Sequence, residues 1–239
     1  MTATTIGQPI SRVDGRQKVS GDAIYAAEFD VPDVAHGSIV RSTIASGRIT
    51  SIDGAAAERA PGVIAVLTHR NAPRLPYRKH RALVDPEVGE RLHVLQDDRI
   101  HHQGQPIALV VAETLEQAVY AASLVRVAYA PAAEATDIDQ VEPVLPTRQQ
   151  DDQDSARPSE TRRGDPEAAF ASAEVKVDAT YVIPRENHNP IEMHATIAAW
   201  DGDRLTLWDK SQWVDNVAEE IAAVFDMPAD NVHVVSPFV

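Results

Sequence analysis

The stretch that most constrains this chain is residues 106–130, PIALVVAETLEQAVYAASLVRVAYA. It opens on PIALVVAE, an apolar run of strand character. Thr114 then begins a capping box with Gln117 three positions on. Leu115, Ala118, Val119 and Ala122 recur at helical spacing. The period then changes: Val125, Val127 and Tyr129 alternate with Arg126 and Ala128, as in a strand. Strand, helix and strand in immediate succession predict a small layer of helix packed on sheet.

Neighbouring segments extend that layer. GSIVRSTIA (37–45) reads as a strand, and VIAVLT (63–68), flanked by breakers, as a buried one. Between them Asp53 can cap a short helix, GAAAERA, that stops at Pro61-Gly62. Residues 70–99 are rich in proline and charge and are expected to form a long surface loop.

The pattern fails between residues 131 and 164. TRQQDDQDSARPSETRRG (147–164) has almost no apolar residues to offset its ordering entropy, so a linker is expected. Structure resumes at Asp165, which can cap a short helix with Pro166 at its first position. VKVDATYV alternates as a strand, and HATIAAWDGDRLTLW reads as a hairpin turning at Asp201-Gly202. SQWVDNVAEEIAAVF follows as an amphipathic helix with Val214, Val217, Ala218, Ile221 and Phe225 on one face and Glu219 and Glu220 outside. Pro228 is expected to end it, and NVHVVSPFV is a strand. A hairpin and one helix leave more apolar surface exposed than they cover, so residues 165–239 read as the start of a domain.

Composition limits the partners. With 239 residues and 44% hydrophobic content, a sizeable core is available. A formal charge of −14 disfavours nucleic acid. The absence of cysteine excludes disulfides, thiolate metal sites and cysteine-ligated iron–sulfur clusters within the chain. The polar N-terminus lacks an apolar signal region, and no run approaches the roughly 20 apolar residues of a membrane span. Cytoplasm is the default compartment, with export on a partner's signal as the alternative.

No P-loop, GxGxxG or GxSxG motif is present. In HNPIEMH, His188, Glu192 and His194 would share one face of an uninterrupted strand, but Pro190 interrupts it and the spacing fits no usual zinc pattern. Structural roles are the preferred reading for all three. His101 and His102 are adjacent, so on extended backbone they point apart. Gln212 follows Ser211 at a strand-to-helix junction, where backbone amides and a side-chain amide suit an anionic or oxo group. Most glutamines at such junctions are solvated or capping, and spacing alone does not select this one.

Six segments in order resemble one family. RVDGRQKVSGDAIYAAEFD, GSIVRSTIASGRI, APGVIAVLT and GQPIALVVAETLEQAVYAASLVRVAY resemble the a/b hammerhead domain and its lead-in in the molybdenum-binding large subunit of the xanthine dehydrogenase / aldehyde oxidase family. NHNPIEMHATIAAWDGDRLTLWDKSQ and NVHVVSPFV resemble the opening of that subunit's molybdopterin-binding domain. The overall likeness is to bacterial aldehyde oxidoreductase molybdenum subunits.

The resemblance implies an α+β fold: an N-terminal arm (1–20), a hammerhead domain (21–130) with a mixed sheet and packed helices, a linker (131–164) and an incomplete α/β cofactor-domain segment (165–239). It implies a molybdenum hydroxylase that oxidises aldehydes or heteroaromatic carbons with water as the oxygen source. The cofactor would be a molybdenum–pterin, in the cytosine dinucleotide form, with FAD and [2Fe-2S] clusters on partner subunits. The Ser-Gln pair matches the family's Ser/Thr-Gln motif, whose glutamine hydrogen-bonds an oxo ligand of molybdenum, and this maps cofactor binding onto Gln212. The family's glycine-rich loop and catalytic glutamate would lie beyond residue 239, so no catalytic residue and no metal ligand is assigned. Three roles stay open: one chain of a split enzyme completed by a second molybdenum-domain polypeptide, an inactive truncated fragment, and a stand-alone hammerhead interaction module.

Overall fold

The computed structural model describes residues 6–76, 94–142, 163–184 and 186–238. In chain order the helices are α1 (Gly15–Ser20), α2 (Ala55–Glu58), α3 (Leu115–Leu124), α4 (Pro166–Ser172) and α5 (Val214–Phe225). The strands of the first half are β1 (His36–Arg41), β2 (Gly47–Asp53), β3 (Val63–Thr68), β4 (Arg99–Ile100), β5 (Pro106–Ala112) and β6 (Arg126–Pro131). Those of the second half are β7 (Ile197–Asp201), β8 (Arg204–Trp208) and β9 (Val232–Val235). The chain divides into two compact units, Met1–Glu134 with Ile191–Val239, and Ala135–Pro190.

The larger unit holds three small sheets, ordered β1-β5-β3, β4-β2-β6 and β7-β8-β9. Strand β5 is central in the first and is buried along most of its length. Val110 faces a cluster with Ala57, Val66 and Ala121, while Ile107 joins Ile49, Ile52 and Ile100. Burial against both clusters accounts for the unbroken apolar run PIALVVA. Val40 and Val125 pack against both clusters, so the core is continuous across the two sheets. The α3 cap forms as its sequence predicts: Gln117 N donates to Thr114 Oγ1 at 3.3 Å and Thr114 N to Gln117 Oε1 at 3.0 Å. At α2 the cap position is Gly54, one residue later than expected; Asp53 accepts the N–H of Ala55 at 2.9 Å from just before it.

The α+β class holds, with differences in detail. The first two sheets pair only antiparallel; the mixed pairing expected there occurs instead in the third sheet. In that sheet β8 runs antiparallel to β7 and parallel to β9, with α5 as the crossover. Val217, Ala218, Ile221 and Ala222 of α5 cover Leu205, Leu207 and Val232. Phe225 is not in this core. It is 44% exposed and meets Trp200 edge-on at 5.9 Å. Asp226 ends the helix in the left-handed region, two positions before Pro228, and Met227 N closes on Ala222 O at 2.9 Å. Asp201 pairs with Arg204, so the hairpin loop is Gly202-Asp203, one position beyond the dipeptide expected to turn.

In the smaller unit Asp165 caps α4 by accepting from Ala168 N at 3.0 Å, with Pro166 at the helix start. The strand expected at VKVDATYV does not form. Val175, Val177, Tyr181 and Val182 are at least 75% exposed. Alternation supplies one apolar face, but a strand also needs a ladder partner, and none pairs with these residues among those described. Most of the expected linker and the centre of the expected 70–99 loop lie outside the described residues.

Candidate functional site

Five residues, 209–213, connect β8 to α5. Their path is set by the end of β9. Asp209 N donates to Val235 O at 3.1 Å and prolongs the parallel ladder by one step. Ser211 N then donates to Ser236 Oγ at 3.1 Å, and the Ser236 hydroxyl donates back to Ser211 O at 3.1 Å. Trp213 N donates to Ser211 Oγ at 3.0 Å. Between these fixed neighbours stands Gln212, exposed, with a side-chain amide that makes no hydrogen bond among the described residues. A carboxamide offers two N–H donors and one acceptor, so a polar group can approach it without breaking a protein contact.

Beside this connection lies an open cleft of about 540 Å³, lined among others by Lys18, Tyr25, Glu28, Glu192, Lys210 and Phe238. Gln212 stands outside its lining. Glu192 organises the cleft wall. Its Oε1 accepts from Ala26 N at 2.9 Å, and its Oε2 lies 3.3 Å from Lys210 Nζ. Lys210 also donates to Phe238 O at 3.0 Å. Phe29 meets Trp208 at 6.3 Å between ring centroids. The sequence near residue 26 is thereby joined to the connection that carries Gln212.

The carboxylate of HNPIEMH is thus engaged in holding segments together. Among the described residues no group of three or more His, Asp or Glu side chains is arranged to hold a metal ion. His101 N donates to Gln105 Oε1 at 2.7 Å, and His102 Nδ1 lies 3.0 Å from Gln103 O, so both residues serve the local turn. Sequence reasoning singled out Gln212 but not its neighbour Ser236 or the bridging contacts of Glu192. Neither carries a periodicity or motif signal; the only hint at Ser236 is a hydroxyl before a proline where a strand stops.

Residues 20–133 match the family model described as aldehyde oxidase and xanthine dehydrogenase, a/b hammerhead domain. Residues 148–239 match the molybdopterin cofactor-binding domain. The chain belongs to the aldehyde oxidase and xanthine dehydrogenase family. Within the family, it is 39% identical over 236 residues to the aldehyde oxidoreductase molybdenum-binding subunit PaoC of Escherichia coli K12, covering 98% of this chain and 30% of that protein. It is 30% identical over 243 residues to the carbon monoxide dehydrogenase large chain of Afipia carboxidovorans, covering 95% and 30%. Among solved structures, the reconstituted CO dehydrogenase from Oligotropha carboxidovorans superposes with a TM-score of 0.73 at 27% identity, covering 98% of this chain and 31% of that one. The chain therefore spans about 30% of the length of the family relatives it matches. In the described part, no helix is long and apolar enough to cross a membrane.

Proposed function

We propose that this chain contributes the hammerhead domain (21–130), a linker (131–164) and the opening of the molybdopterin-binding domain (165–239) to a molybdenum hydroxylase. The enzyme oxidises aldehydes or heteroaromatic carbons and takes its oxygen from water. The observation that carries this reading is Gln212: an exposed, uncommitted carboxamide on a backbone fixed on both sides. Its position matches the family's Ser/Thr-Gln motif, and the consecutive match to both family domains supports the same reading.

The residues fit a cofactor contact of limited scope. Gln212 would hold the molybdenum–pterin group through a side-chain N–H, and its exposure leaves that donor open. When bound, the group supplies the two-electron oxidation and oxygen transfer. Ser211 and Trp213 are both restrained, so Gln212 would present that donor from a backbone held on either side. The cytosine dinucleotide form of the pterin belongs to this proposal. So do an FAD subunit, an iron–sulfur subunit and a cytoplasmic location. Relatives named as a molybdenum-binding subunit and as a large chain support partners in general. With no cysteine, residues 1–239 cannot ligate [2Fe-2S] clusters through thiolates, so those clusters would be held outside them.

The test is assembly. The enzyme built around this chain, purified from a host that makes the pterin cofactor, is expected to contain about one molybdenum per copy and to reduce a dye acceptor when given an aromatic aldehyde. An assembled complex with neither molybdenum nor aldehyde-dependent dye reduction overturns the reading.

A further inference from the structure

We propose that Ser236 is a positioning residue for Gln212, acting from the end of β9 through both backbone polar groups of Ser211; its consequence for turnover rests on the Gln212 reading above. A serine hydroxyl has one donor and two acceptor sites. Here the donor goes to Ser211 O and one acceptor site to Ser211 N, each at 3.1 Å, across 25 positions of sequence. One side chain thus restrains both peptide groups of the residue before Gln212. The residue after it is restrained by Ser211 Oγ at 3.0 Å.

The direction of the Ser236 hydroxyl is itself preset. Asp209 N on Val235 O fixes the strand immediately before it. Pro237 follows and biases Ser236 toward extended backbone. On the far side, Lys210 Nζ on Phe238 O repeats the link between the same two segments. A half-buried serine that merely satisfied loop backbone would account for one of these hydrogen bonds. The reciprocal pair does more, because it fixes the rotation of the peptide that aims the free carboxamide. Its loss leaves Gln212 attached but no longer oriented.

The variants Ser236→Thr and Ser236→Val match each other in shape, differ only in a hydroxyl that is a methyl in valine, and separate positioning from packing. Hydrogen exchange on the assembled enzyme, read by mass spectrometry for the peptide containing Ser211, is expected to be about fivefold faster in Ser236→Val than in Ser236→Thr, with β8 peptides unchanged. In the same enzyme Ser236→Val is expected to lower kcat with KM within about twofold. Added to Gln212→Ala, it should cost nothing further, because both changes remove one contact. Equal exchange in the two variants overturns the inference, as does a further loss in the double variant equal to that of Ser236→Val alone. If Gln212→Ala leaves turnover and molybdenum content unchanged, the Gln212 reading falls, and the catalytic consequence of Ser236 falls with it. The exchange comparison still decides whether the clamp exists.

Discussion

Glu192 Oε1 accepts the backbone N–H of Ala26 at 2.9 Å across 166 positions of sequence. The same carboxylate pairs with Lys210 through its other oxygen, so one largely covered acid ties the segment before β1 to the connection carrying Gln212. Its side chain is 12% exposed against 46% for Lys210, so the acid is the partner whose loss is felt.

Glu192→Ala is expected to destabilise the fold by about 1.5–3 kcal/mol, because it leaves the Ala26 N–H without its charged acceptor. Glu192→Gln keeps an acceptor and loses only a partly exposed ion pair, worth up to about 1 kcal/mol. Urea denaturation of the three proteins checks the order; equal midpoints for all three would refute it.

Gly47 sits in β2 at φ +145°, where an added Cβ would lie 2.3 Å from the Ala130 carbonyl oxygen. The obstacle is backbone of the paired strand β6 and cannot rotate away. Gly47→Ala is expected to cost about 1–3 kcal/mol. Gly104→Ala is a useful control: it shares a positive φ of +84° but meets nothing within 4 Å. Thermal melts in which the two variants coincide would show that the close approach is unimportant.

Asp14 lies 2.8 Å from Lys18 Nζ and 3.0 Å from Arg12 Nε. Hydrogen bonding from Lys18, then from Arg12, lowers its pKa from an ordinary 3.8 to about 2. A depressed carboxylate pKa makes the contribution of these contacts fully present above pH 3.8 and lost as pH falls through about 2. Carboxyl-carbon NMR titration is expected to give a midpoint near 2, moving upward in Lys18→Gln more than in Arg12→Gln. A midpoint already at 3.8 in the parent would remove the basis for this pairing.

Gln212→Ala in the molybdenum-loaded enzyme is expected to lower kcat by roughly 10–100-fold, the usual effect of removing a group that contacts and orients a metal centre. Gln212→Glu replaces the N–H donor by an acceptor and should be at least as damaging. Turnover and metal content together make the measurement, and parent values in both variants would count against the assignment.

Local features were legible because their causes are local. The Thr114–Gln117 box, the Asp165–Pro166 start and the strand runs at 63–68 and 106–112 each depend on residues within a few positions of one another, whereas the burial expected along 63–68 is reached only at Val66 and Thr68, with Ile64 60% exposed. Features that needed a distant partner were not. Strand β4 has two residues and exists only because Gly47 and Arg48 pair with it. VKVDATYV carries strand alternation yet forms no strand, since alternation chooses a face and cannot supply a neighbour. Phe225 fits the apolar stripe of α5 by spacing, but burial on α5 ends at Ala223 and the ring turns to Trp200 instead.

The candidate site divides along the same line. Sequence alone determined the capped helices, the strand periodicities and the lack of thiolate chemistry, while the resemblance of its Ser-Gln pair to a family motif pointed to Gln212 as the residue to examine. Only the tertiary structure decided that Glu192 is a bridge to Ala26 and Lys210 and that Ser236 grips Ser211. Chain order encodes local geometry directly, whereas a side chain's hydrogen-bond partners depend on which backbone groups the packed core brings within about 3 Å of it.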